Sequence, residues 1–293
     1  MPYAPSHGAN LYYEETGTGH PIVFVHEYGA DHREWETQVR FFSREYRCIT
    51  YAARGYPPSD VPEDGALYGQ DHSVADILAV MDHLRIDKAH VVGLSMGAFA
   101  TLLFGIRHPQ RATALVVAGV GSGSVTDPAA LAAFRAENVE KAAMLREVGW
   151  PDLAMAAGTA PTRIQLRKKD PRGWEEFMAH LRSHSSLGSA LTTQYYQGAR
   201  DPVYAWEAAL RTMTVPTLLA VGDEDAPCVE PSVFIKRMLP NAGLWMHPRT
   251  GHAINLEEPA AFNAALSSFF STVERGRWNL GPASGAGGND NRP

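Results

Sequence analysis

The 293-residue sequence has little of what marks several classes of protein. It contains only two cysteines, Cys48 and Cys228, which lie far apart and outside any metal-type spacing, so neither a disulfide framework nor a zinc module is expected. No apolar run reaches the length of a membrane-spanning helix, and the longest, such as 114–118, suit buried strands. The N-terminus shows no charged segment followed by an apolar one. Together these absences predict a reduced, cytoplasmic protein with two buried thiols.

Positive charge is also scarce. The 26 lysines and arginines are outnumbered by 32 acidic residues, giving a net charge of −6, so we expect no nucleic-acid or membrane partner. His180 and His184 have the i, i+4 spacing that can bind a metal, but no third ligand is apparent. We therefore expect a small-molecule substrate and neither a metal nor an organic cofactor. The oligomeric state, a homo-oligomer included, stays open.

Short apolar runs alternate with helical patterns along the first part of the chain. Runs at 21–25, 48–51, 89–92 and 114–117 are typical of parallel strands that are covered on both faces. Helical periodicity separates them, and one helix is predicted over about 96–108. This rhythm predicts an α/β fold with a mostly parallel central sheet flanked by helices.

The rhythm changes after the fourth of these runs. From Pro128 to about Trp206 only helical patterning is found, and the sheet pattern resumes at 215–221. Helices near 231–238 and from Pro259 onward complete the pattern, and a glycine-rich tail follows. The predicted division is a first core part (1–122), a helical cap insert (123–206), a second core part (207–275) and a disordered tail (276–293).

The stretch 91–99, Val-Val-Gly-Leu-Ser-Met-Gly-Ala-Phe, is typical of a sharp strand-to-helix turn. The central Ser95 of such a turn has a strained backbone, which requires nearly side-chain-free residues two positions before and after it. The turn would lift the Ser95 hydroxyl above the end of a buried strand. Because glycine and serine are common, Gly-x-Ser-x-Gly alone does not establish a nucleophile.

A serine hydroxyl becomes a good nucleophile when an imidazole takes its proton and an acidic group orients that imidazole. Both groups follow at the ends of predicted strands. Strand 215–221 runs into Gly-Asp-Glu-Asp (222–225), and strand 244–247 runs into a loop that ends at His252. Ligands bind at the carboxyl edge of an open α/β sheet, so the order Ser, Asp, His predicts a nucleophile, an acid and a base. The carboxylates at 223, 224 and 225 are all candidates for the acid.

In these motifs and their order, the chain resembles the α/β-hydrolase superfamily over about residues 10 to 273, and its capped serine esterase and lactonase branch in particular. The resemblance implies that Ser95 is the nucleophile and His252 the base. It favours Asp225 as the acid, because the family's acid commonly stands three residues after the glycine that ends its strand; Asp223 and then Glu224 are the alternatives.

The resemblance also implies an oxyanion hole, made by the backbone N–H groups of Met96 and Tyr28. The Tyr28 assignment follows from a related His-Gly-x pattern, in which the third residue donates. This chain departs from the pattern, because Glu27 stands where glycine is usual. Glu27 either has a chemical role or forms an ion pair with an arginine such as Arg54. His26 is expected to hydrogen-bond the loop.

Three further residues are candidates for the pocket: Glu27, Trp174 and Tyr195. The cationic residues of the helical insert are expected to form a solvated face, with the alternative that one of them steers an anionic substrate. These residues are Arg163, Arg167, Lys168 and Lys169.

The leading functional hypothesis is a serine hydrolase of small carboxylic esters or lactones. A serine at the elbow argues against the dehalogenase and epoxide-hydrolase branches, whose nucleophile is an aspartate. Carbon–carbon bond hydrolases of the ring-fission-product type share the triad and a helical cap, and they are the nearest alternative. A ligand-binding protein that keeps the fold without catalysis is the alternative from another class.

Overall fold

The computed structural model describes residues 2–278, and its centre is a sheet of eight strands. The strands are Tyr3–Ser6 (β1), Ala9–Thr16 (β2), His20–Val25 (β3), Tyr46–Tyr51 (β4), Ala89–Leu94 (β5), Ala112–Ala118 (β6), Thr217–Gly222 (β7) and Ala242–His247 (β8). Their order is β1-β2-β4-β3-β5-β6-β7-β8. The pairs β1–β2 and β2–β4 are antiparallel, and all other neighbours are parallel.

Twelve α-helices occur in the described part of the chain. They are Glu36–Phe42 (α1), Gln70–His83 (α2), Met96–Arg107 (α3), Pro128–Glu147 (α4), Gly149–Gly158 (α5), Ile164–Lys169 (α6), Pro171–Ser183 (α7), Ser186–Thr192 (α8), Glu207–Thr212 (α9), Ala226–Met238 (α10), Ile254–Glu257 (α11) and Pro259–Glu274 (α12). Strands β5 and β7 are buried along their whole length, as expected of parallel strands covered on both faces.

The sheet separates two apolar cores. On one face α2, α3 and α10 contribute residues such as Ile77, Leu102 and Ile235. On the other face α1 and α12 contribute residues such as Phe42 and Phe262. This three-layer arrangement confirms the predicted α/β class with a mostly parallel central sheet.

The chain between β6 and β7 is helical in the structure, with α4 to α9 in this interval. A third apolar cluster joins these helices to the strand-end loops of the sheet. Trp150 and Phe177 of these helices share this cluster with Tyr28 of a strand-end loop and Met96 at the start of α3. The helices therefore stand over the carboxyl edge of the sheet; their division into a separate cap domain at 123–206 stays a prediction.

Some predicted boundaries were wrong. Helix α10 begins at Ala226 and not near Pro231. Pro227 lies in its first turn, where the missing N–H of a proline costs no hydrogen bond within the helix. Helix α2 begins at Gln70 after Gly69, whose φ of 134° suits glycine.

The predicted tail starts too early. Trp278 packs edge-on against Phe269, with ring centroids 4.6 Å apart, and its indole N–H donates to the Asn241 carbonyl at 2.8 Å. Ordered contacts therefore extend to residue 278, and the rest of the predicted tail, 279–293, lies outside the described residues. Within residues 2–278, none of the helices combines the length and apolar character needed to cross a bilayer.

Candidate active site

Ser95 lies in the tight turn between β5 and α3. Its φ of 53° and ψ of −111° are strained for a residue with a side chain, and its N–H donates to the Ala118 carbonyl at 2.8 Å. A Cβ at Gly93 would lie 2.3 Å from the Gly97 carbonyl oxygen, and one at Gly97 would lie 2.1 Å from that of Val25. Both glycines of the motif are therefore required by close backbone contacts.

His252 and Asp225 are brought together by the loops that follow β8 and β7. The Nδ1 atom of His252 lies 2.7 Å from Oδ2 of Asp225, and both side chains are buried. Nδ1 is thus the donor to the carboxylate, which leaves Nε2 of the neutral ring free to accept a proton. Burial opposes the imidazolium, but the Asp225 charge outweighs it, so the pKa of His252 is raised above its ordinary value.

The other two candidate carboxylates point elsewhere. Asp223 Oδ1 accepts the Thr250 N–H at 3.2 Å, and Glu224 accepts a hydrogen bond from the Gln165 side chain. Of the three carboxylates of this loop, Asp225 is the one that contacts His252.

Ser95 and His252 line the same cavity, which has a volume of about 360 Å³. No hydrogen bond of the Ser95 hydroxyl is found within residues 2–278, so this hydroxyl is open toward the cavity. Asp225 also reaches the cavity wall. The structure thus gathers Ser95, Asp225 and His252 around one space at the carboxyl edge of the sheet.

Of the two predicted oxyanion donors, Tyr28 lines this cavity and Met96 directly follows Ser95. Met96 is the first residue of α3, where a backbone N–H has no partner within its own helix. In the part of the chain that the structure describes, the Tyr28 N–H also makes no hydrogen bond, while the Tyr28 carbonyl accepts from the Tyr56 hydroxyl at 2.9 Å. Both N–H groups are therefore available to a ligand.

His26 fixes the loop that carries Tyr28. Its Nδ1 donates to the Glu27 carbonyl at 2.7 Å, and its Nε2 accepts the Ala53 N–H at 2.9 Å. Burial lowers the pKa of His26 to about 4, so the ring is neutral and both nitrogens are used. This agrees with the loop-bonding role expected of His26.

The ion pair of Glu27 differs from the one suggested by the sequence. Arg54 pairs with Asp76, and Glu27 is held by Arg163, which lies between α5 and α6. Arg163 Nη1 donates to Glu27 Oε1 at 2.7 Å, and Nη2 donates to Oε2. The expectation that Arg163 belongs to a solvated face was wrong, because its side chain is only 15% exposed and Glu27 is fully buried.

The three pocket candidates, Glu27, Trp174 and Tyr195, do not line the cavity. The Trp174 indole N–H donates to the Gly158 carbonyl at 3.2 Å, and the ring is covered by the Arg167 guanidinium. Tyr195 is 41% exposed and faces Gly65. Glu27 lies behind the cavity wall, with Oε2 3.7 Å from Nε2 of His252. Helical periodicity predicts which residues of a helix share a face, but it does not show which face meets the cavity.

Arg200 is a cavity residue that the sequence did not suggest. Its side chain is buried, its Nη2 donates to the Ser122 carbonyl at 2.6 Å, and its guanidinium lies 3.9 Å from the Phe99 ring centroid. Within residues 2–278 it has no carboxylate partner, and Nη1 has no hydrogen-bond partner. Burial lowers its pKa to about 10, so it remains a cation at neutral pH.

One group of side chains has the ligand types of a metal site. The ligand atoms of Asp225, Cys228 and His252 lie within 4.8 Å of one another. Burial raises the pKa of the Cys228 thiol well above its usual value, and the thiol contacts the Gly119 carbonyl at 3.2 Å. A protonated thiol is a poor ligand, and Nδ1 of His252 is already bonded to Asp225. The donor set therefore suits a hydrogen-bonded pair better than a cation.

His180 and His184 do not act together. The Nε2 atom of His184 lies 3.2 Å from Asp31 Oδ2 in a buried contact, whereas His180 lines a separate surface depression.

Comparison with known proteins supplies the family context. A family model described as "Alpha/beta hydrolase family" matches residues 22–265. The chain is 28% identical over 254 residues to 3-oxoadipate enol-lactonase 1 of Acinetobacter baylyi, covering 86% of this chain and 89% of that protein. It is 24% identical over 271 residues to 2-hydroxymuconate semialdehyde hydrolase of Pseudomonas sp. (strain CF600), covering 89% and 90%. A thermophilic esterase from Thermogutta terrifontis has a similar structure, with a TM-score of 0.81, 22% identity, and coverage of 92% and 98%.

Proposed function

The chain belongs to the alpha/beta hydrolase family, and from that membership we propose that it is a serine hydrolase of small carboxylic esters or lactones. The observation that carries the proposal is the 2.7 Å hydrogen bond between His252 Nδ1 and Asp225, next to a cavity that Ser95 and His252 share. This bond orients the imidazole so that Nε2 is the proton acceptor, which is the requirement for activating a serine hydroxyl.

The proposed reaction has two halves. Ser95 Oγ attacks the acyl carbon while its proton passes to His252 Nε2, and the resulting oxyanion accepts hydrogen bonds from the Tyr28 and Met96 N–H groups. Cleavage of the carbon–oxygen bond leaves an acyl group on Ser95, and the departing alcohol oxygen takes the proton from His252. Water then attacks the acyl group with His252 again as base, which releases the acid and restores Ser95.

The cavity supports a small substrate, since about 360 Å³ lies near the lower end of the range for ligand pockets. Arg200 supports an acyl portion that carries a carboxylate. A buried cation without a counter-charge is unfavourable, and an anionic substituent would provide that counter-charge. The sequence suggested that one of four cations of the helical insert steers an anionic substrate. We assign that role to Arg200 instead.

A carbon–carbon bond hydrolase is the second candidate, because one relative is a 2-hydroxymuconate semialdehyde hydrolase. It would use the same three residues, so site geometry alone does not separate the two reactions. A panel of p-nitrophenyl esters, lactones and ring-fission dienones separates them by which substrates are turned over.

The primary test is labelling with a fluorophosphonate, which reacts with activated serines. We expect Ser95 to be labelled, and labelling to be lost in Ser95→Ala and strongly reduced in His252→Ala. Asp225→Asn should slow ester turnover by about 10⁴-fold, as for a triad acid, and Asp223→Asn is its matched control with near-normal turnover. A folded protein that is neither labelled nor active on the panel would leave a non-catalytic ligand-binding protein as the function.

A further inference from the structure

The ring of His252 lies between two buried carboxylates. Asp225 Oδ2 is 2.7 Å from Nδ1, and Glu27 Oε2 is 3.7 Å from Nε2. Nε2 is the nitrogen that would take the serine proton, so a charge at Glu27 acts directly on the reacting side of the ring. Glu27 stands where the His-Gly-x pattern considered above has glycine, so this chain places a carboxylate beside the ring.

Glu27 is charged because Arg163 holds it. Burial alone would raise the pKa of Glu27, but the Arg163 cation and its two hydrogen bonds lower it below its ordinary value. The Glu27 N–H donates to Glu34 Oε1 at 2.9 Å. Burial and the nearby Glu27 charge raise the pKa of Glu34 well above its ordinary value, so of the two carboxyl groups Glu27 is the one that ionises more readily.

The residue before Arg163 binds the backbone of His252. The Thr162 carbonyl accepts the His252 N–H at 2.7 Å, and a Cβ at Gly251 would lie 2.2 Å from that same carbonyl oxygen. The segment 162–163 thus contacts His252 directly through its backbone and indirectly through Glu27. Position and charge at His252 are both coupled to this one segment of the helical region.

We propose that Glu27 and Arg163 form a charge-balanced pair that positions His252 for proton transfer. In the free protein, the Arg163 cation disfavours the imidazolium and the Glu27 carboxylate favours it, so the two charges oppose each other at the ring. Once the proton has arrived at Nε2, the nearby Glu27 carboxylate stabilises the imidazolium together with Asp225. Glu27 does not line the cavity, so it is a positioning residue and not a catalytic one. This inference rests on the proposed role of His252 as base.

Other charged or titratable groups also face His252. Glu257 accepts the Gly251 N–H at 2.6 Å from α11, and the Cys228 sulfur lies 4.0 Å from Nδ1 on α10. The groups around the ring are therefore Asp225, Glu27, Arg163, Cys228 and Glu257. Only the Glu27–Arg163 pair changes in the variants below, so the others contribute equally to each protein.

The test compares Glu27→Gln, Arg163→Met and the double variant. Removing the Glu27 charge leaves Arg163 uncompensated and should lower the pKa of His252 by about one unit, whereas removing Arg163 should raise it by a similar amount. The double variant should return close to wild type. NMR titration of the His252 ring, assigned with His252→Gln, reads the pKa directly, and the acidic limb of kcat/KM against pH should move in the same directions.

Two matched variants separate this role from a merely structural one. Arg163→Lys keeps the cation. The acidic limb of its kcat/KM profile against pH should therefore stay at the wild-type position even if turnover changes. Arg54→Met disrupts a buried ion pair that does not line the cavity, and it should leave the His252 titration unshifted. If both single variants moved the titration in one direction, or neither moved it, the proposal would be overturned. If the titrations shifted as expected but Ser95 showed no labelling, the hydrolase function would fail while the coupling of the pair to His252 held.

Discussion

Within residues 2–278, two arginine–carboxylate pairs are buried, and they differ in how fully the arginine is bonded. Arg54 Nε and Nη2 lie 2.8 and 2.6 Å from the Asp76 oxygens, and Nη1 and Nη2 also donate to the carbonyls of Leu67 and Ser6 at 2.6 and 3.3 Å. Within residues 2–278, the Arg163 guanidinium donates hydrogen bonds only to Glu27. The Arg54 pair therefore joins β1, the loop before α2 and α2 into one body.

The Arg163–Glu27 pair differs from the Arg54 pair in its neighbours, because it contacts both the cavity and the ring of His252. Arg163 lines the cavity, and Glu27 faces His252. A fully bonded pair can affect little besides stability, whereas a pair with unused donors beside a histidine also affects protonation. Burial of an ion pair therefore does not by itself reveal its role; the neighbours of the pair do.

The largest effect on stability is expected at the Arg54 pair. Asp76→Ala leaves the Arg54 cation buried without a carboxylate and should lower the free energy of unfolding by about 3–5 kcal/mol. Urea denaturation measures this loss. The double variant Arg54→Met, Asp76→Leu removes both charges and should recover most of the loss; failure to recover it would mean that the hydrogen bonds to Leu67 and Ser6 dominate. The rate of Ser95 labelling per folded molecule should not change.

Arg163→Met should cost less, about 2–3 kcal/mol at pH 8, because Arg163 is partly exposed and Glu27 can become protonated. The cost should depend on pH. In the wild type the folded-state pKa of Glu27 is lowered, so its stabilisation is present above the unfolded pKa and is lost as the pH falls through the folded pKa. In the variant, burial raises the pKa of Glu27, so destabilisation grows as the pH rises above about 4.5.

Urea midpoints of the wild type and Arg163→Met at pH 4.5 and pH 8 test this sign. The two proteins should be closer in stability at pH 4.5 than at pH 8. An equal gap at both pH values would show that Arg163 does not control the ionisation of Glu27.

Arg200 extends the comparison to a buried arginine with no carboxylate partner in the described residues. Arg200→Met loses one hydrogen bond to Ser122 and the contact with Phe99, but it also removes an uncompensated cation, so stability should change by less than about 1 kcal/mol. Its effect should appear in selectivity. For a p-nitrophenyl hemiester with a free carboxylate, kcat/KM should fall about tenfold, the loss of one charge-assisted contact. The neutral ester of equal length is the control, and an equal fall for both would argue against anion recognition.

The parts of the site that depend on local sequence could be predicted, and those that depend on docking could not. The strand, turn and helix around Ser95 follow from Gly93 and Gly97, whose neighbours are a few residues away or in the adjacent strand. The strand ends that precede Asp225 and His252 are marked by apolar runs and turn residues. These elements form the carboxyl edge of the sheet independently of how the helices above it pack.

The partner of Glu27 could not be predicted, because Arg163 lies 136 residues away in the chain. An unusual charge at a loop marks a position that needs a partner, but helical periodicity does not say which residue of a distant helix reaches it. The same reason explains why Trp174 and Tyr195 were wrong as pocket residues and why Arg200 was missed. Each depends on how α4 to α8 dock over the sheet, which no short-range pattern encodes.

The smallest effect is expected at an ion pair that water already solvates. Arg40 Nε lies 2.5 Å from Glu36 Oε1 on α1, with both side chains more than half exposed. Solvent screens this i, i+4 pair and the long side chains lose freedom in forming it, so Arg40→Ala should lower the free energy of unfolding by no more than about 0.5 kcal/mol. The loss should shrink further in 1 M salt, where the screening length is only about 3 Å. A salt-independent loss above this value would mean that the Arg40 stem, and not its charge, packs against the helix. The ion pairs of Arg54, Arg163 and Arg40 would then differ in their geometry alone, and not in how strongly water competes for their charges.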